Sequence, residues 1–276
     1  MRIYRAVRLG VGVVVAVAIA ACGHDEPTTP VDHAREGRLT IGIKFDQPGL
    51  SVRESDGSYR GFDVEVAKYV AGKLGVPPDK ITFKEAPSAQ REALITDGTV
   101  DFVVATYSIT SDRKDKVDFA GPYYVAGQAL LVKADNTAIS SIDALAGGKR
   151  LCSAEGSTSA KYVKENYAKD VRLLEFPTYS QCVDALRRDV VDAVTTDDII
   201  LAGFAGLAPG ELAVVGDTFT VEKYGIGVKK GDREIRARIN DAIEEMVADG
   251  SWQSAFEETI GPLGASTLTP PVVERY

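Results

Sequence analysis

The groups in this chain whose type and position could do chemistry are charged and hydroxylic side chains near the ends of predicted strands. Glu155-Gly156-Ser157-Thr158-Ser159 stands between a strand and a helix, where free backbone N–H groups attract an anion. A plain N-cap on Ser157 fits the same residues. Asp197 and Asp198 follow another strand, where a carboxylate can cap the next helix or stay solvated. Arg113 belongs to the run Asp112-Arg113-Lys114-Asp115-Lys116 and, taken alone, reads as a solvated member of it. Lys44 and Arg91 are cations just past a strand and near a helix start. Paired donors of this kind suit a buried carboxylate, and two surface cations would look the same. This is chemistry of charge recognition. Bond-breaking would need an acid or base poised at a reacting atom. Both histidines, His24 and His33, fall in the polar N-terminal stretch, so no imidazole is expected in the folded part and no metal site is implied.

These groups need elements to hold them. Residues 39–43 read as a short apolar strand, followed by a loop through Pro48 and Gly49 and a turn at Asp56-Gly57. A helix over 63–72 carries Phe62, Val66, Tyr69 and Val70 on one face, a core stripe. Strands at 81–83 and 101–105 flank a helix at 89–96. A second series has strands at 129–132, 150–153, 171–176 and 191–195, with helices at 141–145, 157–167 and 178–187. Strand 225–229 leads into an amphipathic helix over 234–249 bearing Ile235, Ile239, Ile243 and Val247. Residues 250–261 close the core around Trp252. Such alternation argues for an α/β fold with parallel sheets layered by helices.

The ends have their own logic. Arg2, Arg5 and Arg8 precede an apolar run over 9–20, shorter than the ~20 residues that span a bilayer. It ends at Ile19-Ala20-Ala21-Cys22, which looks like a lipobox: residues 1–21 form a cleaved signal and Cys22 is lipidated. The acyl chains would hold the chain on a membrane surface. Residues 22–37 are polar and proline-bearing and read as a flexible tether, and 265–276 as a loose tail. Removing the signal takes three arginines and no acid, making a net charge of −8 more negative still. An acidic exported chain without basic runs does not suit nucleic acid. With Cys22 on the anchor, Cys152 and Cys182 remain as a disulfide candidate in an oxidising compartment, or as two free thiols.

The stretch Gly61-Phe62-Asp63-Val64-Glu65-Val66, running on to Leu74, resembles a signature of the bacterial extracellular solute-binding proteins of family 3. These deliver polar amino acids to ABC importers. A second block runs from Ala105 to Arg113 and on into Val117-Asp118-Phe119-Ala120-Gly121-Pro122-Tyr123-Tyr124. It is similar to the family segment whose arginine grips the ligand α-carboxylate. The resemblance gives that role to Arg113, whose planar fork suits it. Ser108 would share the carboxylate, and the Thr106 carbonyl would take the ammonium. Thr158 would hold the carboxylate from the other side, and Asp197 would neutralise the ammonium, leaving Asp198 as a helix cap. Lys44 and Arg91 correspond to positions that face the cleft in glutamate- and aspartate-binding members. Members for basic amino acids instead stack the side chain on aromatics, and Tyr107, Tyr123, Tyr124 and Tyr179 are compatible with that.

The resemblance covers residues 39–261 and implies the two-lobed type II periplasmic-binding-protein fold, with two crossing strands between the lobes. Lobe 1 would take 38–122 plus 226–264, lobe 2 would take 127–221, and the hinges would lie near 123–126 and 222–225. A Cys152–Cys182 bridge would brace lobe 2. The implied function is a monomeric, lipid-anchored, extracytoplasmic component of an ABC importer. It would close around an acidic amino acid and dock on permease subunits, with no cofactor. Glutamine, asparagine or a basic amino acid is the alternative ligand. A cyclohexadienyl-dehydratase-like enzyme is a further alternative, but the charged candidates are all occupied as ligand partners. A sensory or adhesive role would use the same cleft.

Overall fold

The computed structural model describes residues 29–276 except 168, 170 and 265–268. The expected signal and Cys22 anchor lie outside the described residues. In chain order the first half runs α1 (Pro30–Arg35), β1 (Leu39–Ile43), β2 (Asp46–Gln47), β3 (Ser51–Arg53), β4 (Tyr59–Arg60), α2 (Phe62–Lys73), β5 (Ile81–Glu85), α3 (Arg91–Thr96), β6 (Phe102–Val103), α4 (Ser111–Lys114) and β7 (Val117–Ala126). Then come β8 (Gln128–Lys133), β9 (Lys149–Ala154), α5 (Thr158–Asn166), β10 (Val171–Phe176), α6 (Tyr179–Arg187), β11 (Ala193–Asp197), α7 (Asp198–Leu207) and β12 (Leu212–Val215). The chain closes with β13 (Glu222–Lys229), α8 (Arg233–Ala248) and α9 (Ser251–Thr259).

Two five-stranded sheets define two lobes, ordered β5-β1-β6-β13-β7 and β10-β9-β11-β8-β12. In lobe 1, β1 pairs in parallel with β5 and β6, while β13 runs antiparallel to β6 and β7. In lobe 2, β9 is parallel to β10 and β11. The small sheet β2-β3-β4 belongs to lobe 1. Among the described residues, β7 and β13 carry the chain between the large sheets, and they are paired at Glu222 and Ala126.

The reasons for these elements are local. Gly61 starts α2 at φ 124°, and a Cβ there would lie 2.3 Å from the Leu50 carbonyl oxygen, so only glycine fits. Phe62, Val66 and Val70 are buried as the helical spacing predicts, whereas Tyr69 is half-buried and donates its hydroxyl to Asp249. Phe62 meets Trp252 edge-on at 5.5 Å, and the Trp252 indole N–H donates to the Tyr123 carbonyl at 2.8 Å. Trp252 is a core residue.

Both terminal readings need correction. Residues 30–35 form a helix, not a tether. Thr29 and Asp32 close a reciprocal capping box, and Val31 and Ala34 are buried. His33 thereby joins the fold, its Nδ1 lying 2.6 Å from Asp101 Oδ1, so an imidazole is present there after all. A six-residue helix with two buried apolar residues is too short to show periodicity. At the other end, Arg275 pairs with Asp241 and Glu244, and the Phe119 N–H donates to the Tyr276 hydroxyl at 2.7 Å. The last residues thus cover the outer edge of β7, an anchorage made by long-range polar contacts that composition does not reveal. Strands β2–β4 are too short to alternate visibly. Helix α7, with Ile199, Ile200, Leu201 and Phe204 all buried, lacks the polar face that would have announced it.

Candidate functional site

Every candidate follows the carboxyl end of a strand, where open α/β sheets bind ligands. Lys44 follows β1, Arg91 follows β5, and Thr106, Ser108 and Arg113 follow β6. On lobe 2, Thr158 follows β9 and Asp197 ends β11.

On lobe 1 the cations are buried and close together. Lys44 is 4% exposed and donates to the Ser88 hydroxyl at 2.8 Å. Burial, then the nearby Arg91 charge, brings its pKa down to about 7. Arg91 is 2% exposed and donates to the Ala105 and Thr106 carbonyls at 3.0 and 3.2 Å. Its guanidinium sits 4.2 Å from the centre of the Tyr107 ring, a cation–π contact. Burial, then Arg113, lowers its pKa to about 10. Thr110 caps α4 and so fixes Arg113. The Arg113 fork donates to the Ser108 carbonyl at 2.8 Å and to the Gly156 carbonyl of lobe 2 at 3.1 Å. Its Nε lies 3.5 Å from Glu92.

Thr106 holds this face at φ 45°, a left-handed conformation costly for a threonine. Asp63 on α2 explains how it persists. Its carboxylate accepts the Thr106 N–H and the Tyr123 hydroxyl, each at 2.8 Å. Burial raises the Asp63 pKa to about 6.

Lobe 2 supplies the opposite charge. Asp197 is 3% exposed, accepts the Tyr224 hydroxyl on Oδ2, and has no hydrogen-bond partner on Oδ1. Burial, then the neighbouring Glu222 charge, pushes its pKa up to about 8. Ser157 is the N-cap of α5, accepting the Ala160 N–H at 2.9 Å. The Thr158 hydroxyl, at the first position of the helix, lies 3.4 Å from the Ser108 hydroxyl across the cleft. The Cys152–Cys182 disulfide ties β9 to α6 behind this loop.

Arg91, Thr106, Ser108, Thr158 and Asp197 line one cavity between the lobes, together with Ser88 and Tyr179. Lys44 and Arg113 stand one layer behind, reaching the wall through Ser88 and Ser108. The cavity measures about 10 Å³, too small to hold an amino acid. A larger groove between α7 and Pro262–Gly264 has no lysine or arginine among its described lining residues. The cleft is therefore the candidate site. It sets one buried cation on the lobe-1 wall, with two more one layer behind it, against a carboxylate with a spare oxygen on the other. Sequence reasoning missed Asp63 and Tyr224. An acid inside the α2 signature was the signal for Asp63; nothing local marked Tyr224.

The family model of bacterial extracellular solute-binding proteins, family 3, matches residues 39–262. The glutamate-binding protein GluB of Corynebacterium efficiens is 45% identical over 90% of this chain and 88% of its own length. The glutamine-binding protein GlnH of a Bacillus subtilis ABC transporter is 35% identical over 81% of each chain. An ancestral arginine-binding protein bound to glutamine superposes with a TM-score of 0.76 at 36% identity, covering 82% of this chain and 98% of that one. The chain belongs to the bacterial extracellular solute-binding proteins, family 3.

Proposed function

We propose that the chain is the substrate-binding component of an ABC importer, and that it captures an acidic amino acid, glutamate foremost. The observation that carries this is the charge layout of the cleft: Lys44, Arg91 and Arg113 buried on one side, Asp197 with an unpartnered oxygen on the other. An amino acid with a carboxylate side chain has two anionic ends and one ammonium, and these groups match all three. Arg113, Ser108 and Thr158 take the α-carboxylate. Asp197 and the Thr106 carbonyl take the ammonium, and Arg91 with Lys44 takes the side chain. The likeness to GluB supports the same ligand.

Lobe 1 is then 38–122 with 226–264, lobe 2 is 127–221, and hinge motion about β7 and β13 opens the cleft. Residues 1–21 are a signal, Cys22 bears the lipid, and the folded monomer works outside the cytoplasm without catalysing a reaction. Glutamine is the second reading. It draws on the Lys44 pKa of about 7, which leaves much of that amine neutral, and on the likeness to GlnH.

Calorimetric titration of protein freed of carried-over ligand, with glutamate, aspartate, glutamine, asparagine, arginine and histidine, tests the proposal. Tight binding confined to glutamate or aspartate is expected. Preference for an amide or a basic side chain would discard the acidic pocket.

A further inference from the structure

Strand β2 and the residue after it reach out of lobe 1 and lie against α6 and α7 of lobe 2. Asp46 Oδ2 accepts the backbone N–H of Ser180, in the first turn of α6, at 3.0 Å. A carboxylate there meets an unsatisfied donor and the positive end of the helix. Two residues on, the Pro48 carbonyl oxygen lies against Gly203 so closely that a Cβ on Gly203 would stand 2.2 Å from it. Three residues further along α7, on the same face, a Cβ on Gly206 would stand 3.0 Å from Leu263 Cδ2 of lobe 1. The first of these is an approach of backbone to backbone, which no side-chain rotation can relieve.

We propose that Asp46 and Pro48 form the lobe-1 half of a closure latch, with the α6 N-terminus and Gly203 as its lobe-2 half. The latch sets how far the lobes close, and hence affinity, without touching the ligand. Neither Asp46, Pro48 nor Gly203 lines the cleft cavity. The latch is nonetheless wired to the site. Lys44 lies two residues before Asp46, whose carboxylate partly opposes the lowering of its pKa by burial and Arg91. Gln47, between Asp46 and Pro48, accepts the Thr106 hydroxyl at 3.1 Å. Closure on α6 and α7 therefore fixes the segment that positions Lys44 and Thr106. Full closure requires glycine at 203, because overpacking a fitted interface is destabilising.

This inference rests on the proposed hinge closure, and its test separates the two. L-Glutamate, or L-glutamine where glutamate gives no heat, is titrated into wild type, Gly203→Ala, Asp46→Asn and Asp46→Ala, with small-angle scattering before and after saturation. Wild type should compact on binding. Gly203→Ala should bind about tenfold more weakly or worse, through faster dissociation, and stay more expanded when saturated. Its ligand-free melting temperature should match or exceed wild type, because alanine favours the interior of a helix over glycine. That result separates a blocked closure from a damaged fold. Asp46→Ala should speed dissociation about fivefold with association unchanged, and Asp46→Asn, which keeps the acceptor, should fall between. Wild-type compaction that Gly203→Ala reproduces at unchanged affinity overturns the latch alone. A wild type that binds without compacting, or binds neither ligand, overturns the underlying closure and the latch with it.

Discussion

The Arg113 guanidinium donates to the carbonyl of Gly156 at 3.1 Å, joining the arginine of one lobe to the helix-start loop of the other. The same fork holds the Ser108 carbonyl at 2.8 Å. Arg113 thus lies where the lobes meet. Gly156 permits the approach: a Cβ there would stand 2.6 Å from Ala89 Cα, at a φ of 72° that favours glycine.

Arg113→Ala should therefore weaken every amino-acid ligand together. Losing charge-assisted hydrogen bonds of about 1.5–3 kcal/mol corresponds to roughly ten- to hundredfold in affinity. Arg113→Lys keeps the charge but not the fork and should recover little of the loss. Titration of both variants against glutamate and glutamine checks this; unchanged affinity would remove Arg113 from the site.

Arg91 and Lys44 should act on the side chain instead. Arg91→Ala should cost glutamate far more than glutamine, because a carboxylate loses a charged partner where an amide loses at most a hydrogen bond. Equal losses for the two ligands would end the side-chain role.

Lys44→Met should exchange binding for stability. The folded pKa of about 7 lies below the ordinary 10.5 because burial disfavours the ammonium. The resulting penalty on ligand-free folding is absent above about 10.5 and fully present below about 7. Replacing this buried amine with a packed apolar chain removes the desolvation penalty. The ligand-free variant should melt higher than wild type at neutral pH while losing affinity for glutamate. A lower melting temperature would mean that Lys44 is structurally required.

These residues differ in how far the sequence disclosed them. The strand-end positions of Thr158 and Asp197 are legible from local pattern, whereas Arg113, ten residues past β6 on α4, stands out from its charge run only through the resemblance of the whole block. Asp63 lies within the α2 signature, but nothing around it there discloses its role. Acids are common in a first helical turn for dipole reasons alone, and its partners Thr106 and Tyr123 lie 43 and 60 residues away. Tyr224 reaches Asp197 from β13, a pairing that only the crossing of β7 and β13 creates. The reach of β2 to α6 and α7 was hidden for the same reason. Local pattern places residues on elements; which elements face each other across the cleft is a property of the assembled sheets.

The disulfide should matter for stability and little for recognition. Cys152 and Cys182 are 30 residues apart in sequence and join β9 to α6 within lobe 2. Closing a loop of this length stabilises by about 2–4 kcal/mol in chain-entropy terms. The Cys152→Ser/Cys182→Ser double variant should unfold at lower temperature or denaturant while binding ligand within about threefold of wild type, since neither sulfur lines the cavity. A collapse in affinity without a loss of stability would show that the bridge positions the Gly156–Ser159 loop.

The pH dependence of binding follows from the opposed shifts of Asp197 and Lys44. Asp197, raised to about 8 by burial and then by Glu222, is largely protonated in the ligand-free protein at neutral pH. An incoming ammonium favours its ionised form, so binding releases a proton and affinity falls as pH drops below about 8. Lys44, lowered to about 7, loses its charge as pH rises. A carboxylate side chain favours the charged form, so binding takes up a proton and glutamate affinity falls above about 7. Glutamate should therefore bind tightest between these two values, with the released and absorbed protons partly cancelling. Glutamine, which does not need the Lys44 charge, should show only the acid-side loss. Calorimetry in buffers of differing ionisation enthalpy reads both proton counts, and Asp197→Asn should flatten the acid limb while costing most of the affinity. A glutamate profile with no alkaline fall would take Lys44 out of the side-chain pocket, and one with no acid fall would take the ammonium away from Asp197.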